Sequence, residues 1–203
     1  MDVGHYLEKP GVISASGRAE FDFNLELAVQ VANELRSRGL AVRMIGERGD
    51  YAELYRRTLD ARGADLFVSI HHDSVKERYL PVADRFAGFS LFVSQRNPRA
   101  QASLACASAM GARLRAAGLV PSRYHADPVL GESRPFADEA NGVHWFDNLA
   151  VAHTARMPSV LVEAGVIVNR EEEARMRDPA VQAAIARAIA GGAAACLGSS
   201  TKP

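Results

Sequence analysis

The sequence predicts a single layered α/β domain, with a mostly parallel twisted sheet of about six strands and helices on both faces. Three observations favour this fold class. Strand-like and helix-like stretches alternate through most of the chain, as they do when helices connect parallel strands. Two strand-like stretches, 65–70 and 158–162, are almost continuously apolar, which is typical of strands covered on both faces. With 203 residues and no break in composition, the chain is expected to form one domain.

The predicted strands are short stretches rich in apolar or β-branched residues. The stretch 88–94 alternates, which places Phe89, Leu91 and Val93 on one face. In chain order the predicted strands cover residues 2–5, 40–45, 65–73, 88–94, 149–154 and 159–167. The segments left between elements are 6–17, 74–87 and 119–147. The last of these is rich in proline and glycine, and we expect it to be a surface excursion that could wall a groove.

The predicted helices carry apolar residues at helical spacing, and glycines stop the first three. In the first helix this spacing is shown by Leu25, Ala28, Val29, Ala32 and Leu35. Asn97 is expected to cap the third helix, and Pro179 separates the last two. In chain order the predicted helices cover residues 23–38, 51–62, 97–117, 171–177 and 180–197. The domain is therefore expected to cover 1–198, followed by a flexible tail over 199–203.

The composition gives no support for nucleic acid or a membrane as a partner. Lys plus Arg and Asp plus Glu both number 24, so the net charge gives no case for nucleic acid or an anionic membrane. No apolar run is expected to approach the roughly 20 residues that span a bilayer. Cys106 and Cys196 lie in Ala-rich helical patterns without metal-type spacing. They are predicted to be core residues, with a disulfide only if their helices pack side by side.

Glu163 is the first candidate for a catalytic group, because it directly follows the apolar strand that begins near Pro158. In open α/β sheets, ligands bind beyond the carboxyl ends of the strands. The alternative is a partly exposed glutamate paired with a neighbouring arginine.

Three more polar groups fall at comparable places: His5 after the first strand, Glu20 at the start of the first helix, and His71 near a strand end. Two imidazoles and a carboxylate form the ligand set of many catalytic zinc sites, and a free carboxylate such as Glu163 can then transfer protons. The spacing alone leaves the alternative of hydrogen-bonded structural histidines, since the chain has no H-E-x-x-H motif.

Four ordered motifs carry a resemblance to a known family. They are DVGH at 2–5, Glu20 with NLELA at 24–28, SIHHD at 69–73 and PSVLVEAG at 158–165. Together they resemble the zinc-dependent N-acetylmuramoyl-L-alanine amidases of bacterial cell walls, over nearly the whole chain. The resemblance implies one Zn²⁺ held by His5, Glu20 and His71, with Glu163 as the catalytic carboxylate. It also implies hydrolysis of the amide between the lactyl group of N-acetylmuramic acid and L-alanine of the stem peptide.

The chain departs from the family pattern at three places. Val3 stands where the first motif usually has proline, and His72-Asp73 stands where the third usually has Ala-Asn. Strand alternation allows only one of His71 and His72 to point at the site, and we favour His71.

The third departure lies at 141–144, where the family often carries Arg-Gly-Val-Lys and this chain has NGVH. Asn141 and His144 are therefore candidate substrate contacts, with a solvent-exposed loop histidine as the alternative for His144. No role is predicted for His125 or His153.

The resemblance also predicts peptidoglycan or muropeptides as partners and a periplasmic or extracellular location, with Met1 replacing a removed export signal. Neither nucleic acid nor membrane insertion is expected, a monomer is the default, and no activator protein is identifiable. Two alternatives remain: a non-catalytic peptidoglycan-binding module with the same fold, and a zinc peptidase acting on sugar-free peptides. Whether 74–87 or 119–147 covers the site is left open, with an open groove favoured.

Overall fold

Six strands form one sheet in this computed structural model, which describes residues 1–200. They are β1 Asp2–Val3, β2 Phe67–Asp73, β3 Ser90–Val93, β4 Phe136–Asp138, β5 Val143–Trp145 and β6 Ser159–Val166. Their order across the sheet is β1-β2-β6-β3-β5-β4. The pairs β1–β2, β2–β6 and β3–β5 are parallel, whereas β3–β6 and β4–β5 are antiparallel. The predicted, mostly parallel six-stranded sheet is confirmed.

Helices cover both faces of this sheet. They are α1 Glu20–Ser37, α2 Leu54–Asp60, α3 Ala100–Ala116, α4 Ala150–Thr154, α5 Arg170–Arg177 and α6 Pro179–Ser200. The larger core lies between the sheet and helices α1, α3 and α6, where Ile70 and Val162 are fully buried. A smaller core lies on the opposite face, where Phe67 and Leu161 meet Val151 of α4. Alternate residues of β2 and β6 thus serve different cores, which explains their continuous apolar runs.

Two predicted strands are wrong. Residues 40–45 pair with the sheet only through Ile45, whose carbonyl accepts a hydrogen bond of 2.9 Å from the Val3 amide. Because β1 has only two residues, it cannot form a longer ladder of hydrogen bonds with residues 40–45. The second error is at 149–154, where the chain forms helix α4. A short apolar run does not distinguish a buried helix turn from a strand.

Asn97 does not cap α3 as predicted, since the N-cap residue is Arg99. The side-chain amide of Asn97 instead donates to the carbonyls of Ala152 and Ala155, at 2.7 and 3.3 Å, at the end of α4. The excursion over 119–147 is also more regular than expected. It contains β4, β5 and a 3-10 turn over Tyr124–Ala126.

The expectation that no apolar run approaches the length of a membrane span is wrong for helix α6. Within the described residues, Pro179–Gly198 is a 20-residue helical stretch of hydropathy 1.5, long and apolar enough by itself to cross a membrane. This helix packs along α1 and α3 and buries Ile185 and Ile189, as the core helix of a layered domain does. The helix continues through Ser200, and the rest of the tail predicted for 199–203 lies outside the described residues.

A disulfide joins Cys106 of α3 to Cys196 of α6, with their Cα atoms 5.0 Å apart and a sequence separation of 90 residues. Helices α3 and α6 therefore pack side by side, which was the condition stated for this disulfide. Removing it in a Cys106→Ala/Cys196→Ala variant should lower the free energy of unfolding by about 2–4 kcal/mol, because the unfolded chain loses a long covalent loop. The melting temperature should fall by roughly 5–15 °C in thermal unfolding followed by circular dichroism. Equal melting temperatures for the variant and the oxidised wild type would contradict this expectation.

Candidate functional site

The candidate site lies where the parallel strands β1, β2 and β6 end at one edge of the sheet. His5 follows β1, His71 lies in β2, and Glu163 lies in β6. His71 and Glu163 are direct neighbours in the register of β2 and β6. Glu20 is the first residue of α1, whose N-terminus reaches the same edge. The four residues singled out in the sequence therefore share one end of the sheet.

His5, Glu20 and His71 form a compact cluster. The Nε2 atom of His5 lies 2.9 Å from Oε2 of Glu20, and Nδ1 of His71 lies 3.1 Å from Oε1. One donor atom from each residue lies within 4.8 Å of the other two, so these side chains could hold a metal ion. Glu20 is 3% exposed, whereas the His5 side chain keeps 33% of its surface exposed. The cluster is consequently anchored on a buried carboxylate and open on the side of His5.

Glu20 is held as a charged acceptor. Burial disfavours its charge, but hydrogen bonds from His5 and His71 outweigh burial and hold the pKa of this carboxyl well below its ordinary value. The Val12 amide donates to Oε2 at 3.2 Å, and the Asn24 side-chain amide donates to Oε1 at 3.1 Å. An ionised, oriented carboxylate between two imidazoles is suited to a divalent cation.

The backbone that carries His5 is unusual in two respects. His5 itself has a φ of 67°, in the left-handed region that non-glycine residues seldom occupy. At Gly4, a Cβ atom would lie 2.4 Å from the ring of His71, so only glycine permits this approach. This conformation is held by Arg57, which is 1% exposed and donates to the carbonyls of Val3 and His5.

Arg57 also pairs with the buried carboxylate of Asp2 at 2.8 Å. We expect Arg57→Met to lower the free energy of unfolding by about 3–5 kcal/mol, because Asp2 is left charged and buried without its partner. The matched control is Arg56→Met, whose guanidinium is exposed and lies 3.6 Å from Asp60, so its cost should stay below about 1 kcal/mol. Urea unfolding of the metal-free proteins measures both values. Equal destabilisation by the two substitutions would contradict the role given to Arg57.

The geometry separates the two adjacent histidines. His72 is buried against α1, where its Nδ1 lies 2.8 Å from Oδ1 of Asn24 and its ring packs against Phe23. Burial lowers the pKa of His72 to about 4, so its ring is neutral. His71, not His72, lies in the cluster with His5 and Glu20.

Glu163 has a buried carboxylate oxygen that makes no hydrogen bond within the described residues. The residue is partly exposed, but its Oε2 atom is buried and has no hydrogen-bond partner within residues 1–200. Burial raises its pKa well above the ordinary value, and the charges of Asp73, Glu20 and Glu132 raise it further. None of the ion pairs formed in the described part of the chain includes Glu163. Such a carboxyl has the properties of a proton-transferring group.

A second charged cluster beside Glu163 was missed by the sequence analysis, which gave His125 no role. The Nε2 atom of His125 lies 2.7 Å from Oδ2 of Asp73, and Nδ1 lies 3.0 Å from Oε2 of Glu132. Burial lowers the pKa of His125, but the two carboxylates outweigh it and raise that pKa to about 9. The only sequence sign was the aspartate that departs from the family pattern, and its partner is 52 residues away.

This shift predicts a pH-dependent stability. The pKa of His125 is about 9 in the folded protein and near the ordinary 6.5 when unfolded, so its contribution is complete below pH 6.5 and lost as pH rises through 9. The loss should amount to about 3 kcal/mol at most. Urea unfolding of the wild type and His125→Gln at pH 6 and pH 9.5 isolates this contribution, because His72, His144 and Glu163 also have shifted pKa values and affect both proteins. The stability advantage of the wild type over the variant should shrink between the two pH values, and an unchanged difference would contradict the expectation.

The two candidate substrate contacts lie apart from this cluster. Asn141 binds Asp138 at 2.7 Å and contacts Arg115 of α3 at 3.4 Å. His144 is fully buried between the rings of Phe92 and Phe136, so it is not the solvent-exposed loop histidine considered as the alternative. Within the described residues, neither has a hydrogen bond or ring contact with His5, Glu20 or His71. Their contact with substrate stays a prediction.

Segments 74–87 and 119–147 pack on each other. The phenol of Tyr124 accepts a hydrogen bond of 2.9 Å from the Lys76 amide, and its ring lies 5.0 Å from that of Phe86. These residues belong to a third apolar cluster, which includes Val75 and Val166. Segments 74–87 and 119–147 thus pack together beside β6. The open groove favoured from the sequence stays a prediction.

Comparison with known proteins points to one family. The family model described as N-acetylmuramoyl-L-alanine amidase matches residues 1–195. The chain is 30% identical over 210 residues to the N-acetylmuramoyl-L-alanine amidase AmiC of Neisseria meningitidis, covering 95% of this chain and 50% of that protein. It is 28% identical to AmiA of Salmonella typhimurium, covering 95% and 73%. The chain thus spans about half to three quarters of the length of these relatives.

Solved structures agree with these matches. The catalytic domain of CwlV, an N-acetylmuramoyl-L-alanine amidase of Bacillus (Paenibacillus) polymyxa, aligns with a TM-score of 0.76 and 27% identity, covering 97% of this chain and 96% of that one. Ami1 of Mycobacterium smegmatis aligns with a TM-score of 0.80 at 24% identity, covering 98% and 95%, and supports the fold alone.

Proposed function

Because the chain belongs to the N-acetylmuramoyl-L-alanine amidase family, we propose that it is a zinc hydrolase of peptidoglycan. The bond cleaved is the amide between the lactyl group of N-acetylmuramic acid and L-alanine of the stem peptide. The observation that carries this proposal is the convergence of His5, Glu20 and His71 beside Glu163, whose buried Oε2 atom has no hydrogen-bond partner within residues 1–200.

The three clustered side chains fit one zinc ion by their chemistry. Two imidazole nitrogens and one carboxylate oxygen are a common donor set for catalytic zinc, and three protein ligands leave a position for water or substrate. The charged state of Glu20 and the close approach of the three donor atoms support this fit. His71 is the ligand proposed in preference to His72, which is committed to Asn24.

A bound zinc ion would polarise the amide carbonyl and lower the pKa of an attacking water molecule. Glu163 takes the proton from that water as its oxygen adds to the lactyl carbonyl carbon. The same carboxyl then delivers the proton to the nitrogen of L-alanine as the carbon–nitrogen bond breaks. The products are a lactyl carboxylate and a stem peptide with a free α-amino group. Burial raises the pKa of Glu163, which favours its protonated form as the donor to the leaving nitrogen.

The periplasm or cell exterior is the proposed location, because peptidoglycan lies outside the inner membrane. The disulfide between Cys106 and Cys196 supports this location, since such bonds persist in oxidising compartments. Peptidoglycan or its muropeptide fragments are the proposed partners, and a monomer remains the expected state.

Two soluble substrates distinguish the proposal from its alternatives. One is an N-acetylmuramoyl-L-alanyl peptide, and the other is the same peptide without the sugar. We expect release of free peptide from the first with zinc present, and no cleavage of the second. Cleavage of the sugar-free peptide would favour a zinc peptidase. Binding of both zinc and peptidoglycan without cleavage would favour a non-catalytic module.

A further inference from the structure

Asn24 is a buried polar side chain that connects two of the clustered residues. It is fully buried and lies one helical turn after Glu20 in α1. Its side-chain nitrogen donates to Oε1 of Glu20 at 3.1 Å and to the carbonyl of Gly4 at 3.3 Å. Gly4 directly precedes His5 in the chain. One amide group therefore contacts both the carboxylate of Glu20 and the backbone that carries His5.

These contacts are possible in only one of the two orientations of the Asn24 amide. A backbone carbonyl oxygen accepts hydrogen bonds and does not donate them, so the group that faces Gly4 is the NH2 group of Asn24. The side-chain oxygen of Asn24 then points the other way, where it lies 2.8 Å from Nδ1 of His72. Rotating the amide by half a turn would place its oxygen against the carbonyl of Gly4 and the carboxylate of Glu20, and would break both hydrogen bonds.

His72 supplies the hydrogen that fixes this orientation. The amide oxygen of Asn24 only accepts hydrogen bonds, so Nδ1 of His72 carries a proton whatever the charge of the ring. His72 is 4% exposed, and its ring packs against that of Phe23 with centroids 5.4 Å apart. The backbone amide of His72 also faces Oε1 of Glu20, at 3.3 Å. His72 therefore lies beside Glu20 with its side chain turned to the group that holds this carboxylate.

We propose that His72 is a positioning residue for the zinc ion, which acts through Asn24; this inference rests on the zinc site proposed above. The Nδ1 hydrogen of His72 fixes the Asn24 amide, and the NH2 group of Asn24 then holds the Glu20 carboxylate and the backbone before His5. Hydrogen bonds to the ligands of a metal orient those ligands, and their removal weakens metal binding about 10- to 100-fold. His72 thus contributes to zinc affinity without being a ligand.

The test is a double-mutant cycle in which zinc affinity is measured by competition with a chelator. His72→Phe keeps a ring against Phe23 but removes the donor, and it should weaken zinc binding about 10-fold. Asn24→Leu removes the amide at similar volume and should weaken zinc binding about 10- to 100-fold. Because His72 acts through Asn24, His72→Phe should have no further effect in the Asn24→Leu protein. Losses of this size leave the site filled when zinc is in sufficient excess.

A conservative variant and the wild type provide two further measurements. His72→Gln keeps a side-chain N–H donor and should recover most of the zinc affinity that His72→Phe loses. Nitrogen-15 NMR of the wild type should show the His72 ring with its hydrogen on Nδ1. A ring protonated only at Nε2 would overturn the proposal, and this measurement decides even if His72→Phe does not fold.

A purely structural role predicts different results. If His72 only fills the core beside Phe23, His72→Phe should leave zinc affinity unchanged. If His72 acts independently of Asn24, the losses of the two substitutions should add in the double variant. Either outcome would overturn the proposal. A wild type that binds zinc but releases no peptide would refute the proposed hydrolysis and leave the affinity cycle valid, whereas a wild type that binds no zinc would refute both.

Discussion

Replacing Glu163 with glutamine should lower kcat roughly 10²- to 10⁴-fold while leaving zinc bound. Glutamine keeps the size of the side chain, but it cannot take a proton from water or return one to the leaving amine. Because Glu163 is not among the three clustered donors, zinc content should remain that of the wild type. Steady-state release of peptide and elemental analysis of the same preparation measure the two quantities.

A matched control for this prediction is Glu171→Gln. Glu171 is also a glutamate, but it lies in the first turn of α5 and takes no part in the site. Its substitution should leave kcat within about 2-fold of wild type, as is usual for a surface position. If Glu163→Gln retained activity close to that of Glu171→Gln, the proton-transfer role of Glu163 would be wrong.

His71→Ala should lose zinc, and turnover with it. His71 is one of three donors, so its removal should weaken zinc affinity at least about 100-fold. The neighbouring His72→Ala is the matched control, because His72 is turned toward Asn24 and Phe23. That control should keep zinc, although it should cost stability by opening a space in the core. Zinc retained by His71→Ala and lost by His72→Ala would reverse the assignment of the ligand.

Much of the site was predictable because it follows from local order. An apolar run that meets a polar residue singled out Glu163 and His71, although both lie inside their strands: β2 continues to Asp73 and β6 continues to Val166. Parallel strands bring such ends to one edge, so residues as distant as His5 and Glu163 could be expected to meet. The roles proposed for them rest on the family resemblance.

The parts that failed depend on contacts that sequence order does not display. Residues 40–45 have strand-like composition, but a strand needs a partner, and β1 offers one only at Ile45. The stretch at 149–154 became a helix whose end is satisfied by the side chain of Asn97, more than 50 residues earlier. The contact between Asp73 and His125 could not be predicted for the same reason. It joins a strand end to a segment without a periodic pattern, so the sequence does not show that the two residues are close.

The most direct test of the central claim is a zinc titration of chelator-treated protein during digestion of purified peptidoglycan, with products identified by mass spectrometry. The expected result is release of stem peptides that begin at L-alanine, rising with added zinc and reaching a plateau at one equivalent. Release that is equally strong in the chelated protein, or absent when one zinc is fully bound, would contradict the assignment of this site as a zinc amidase.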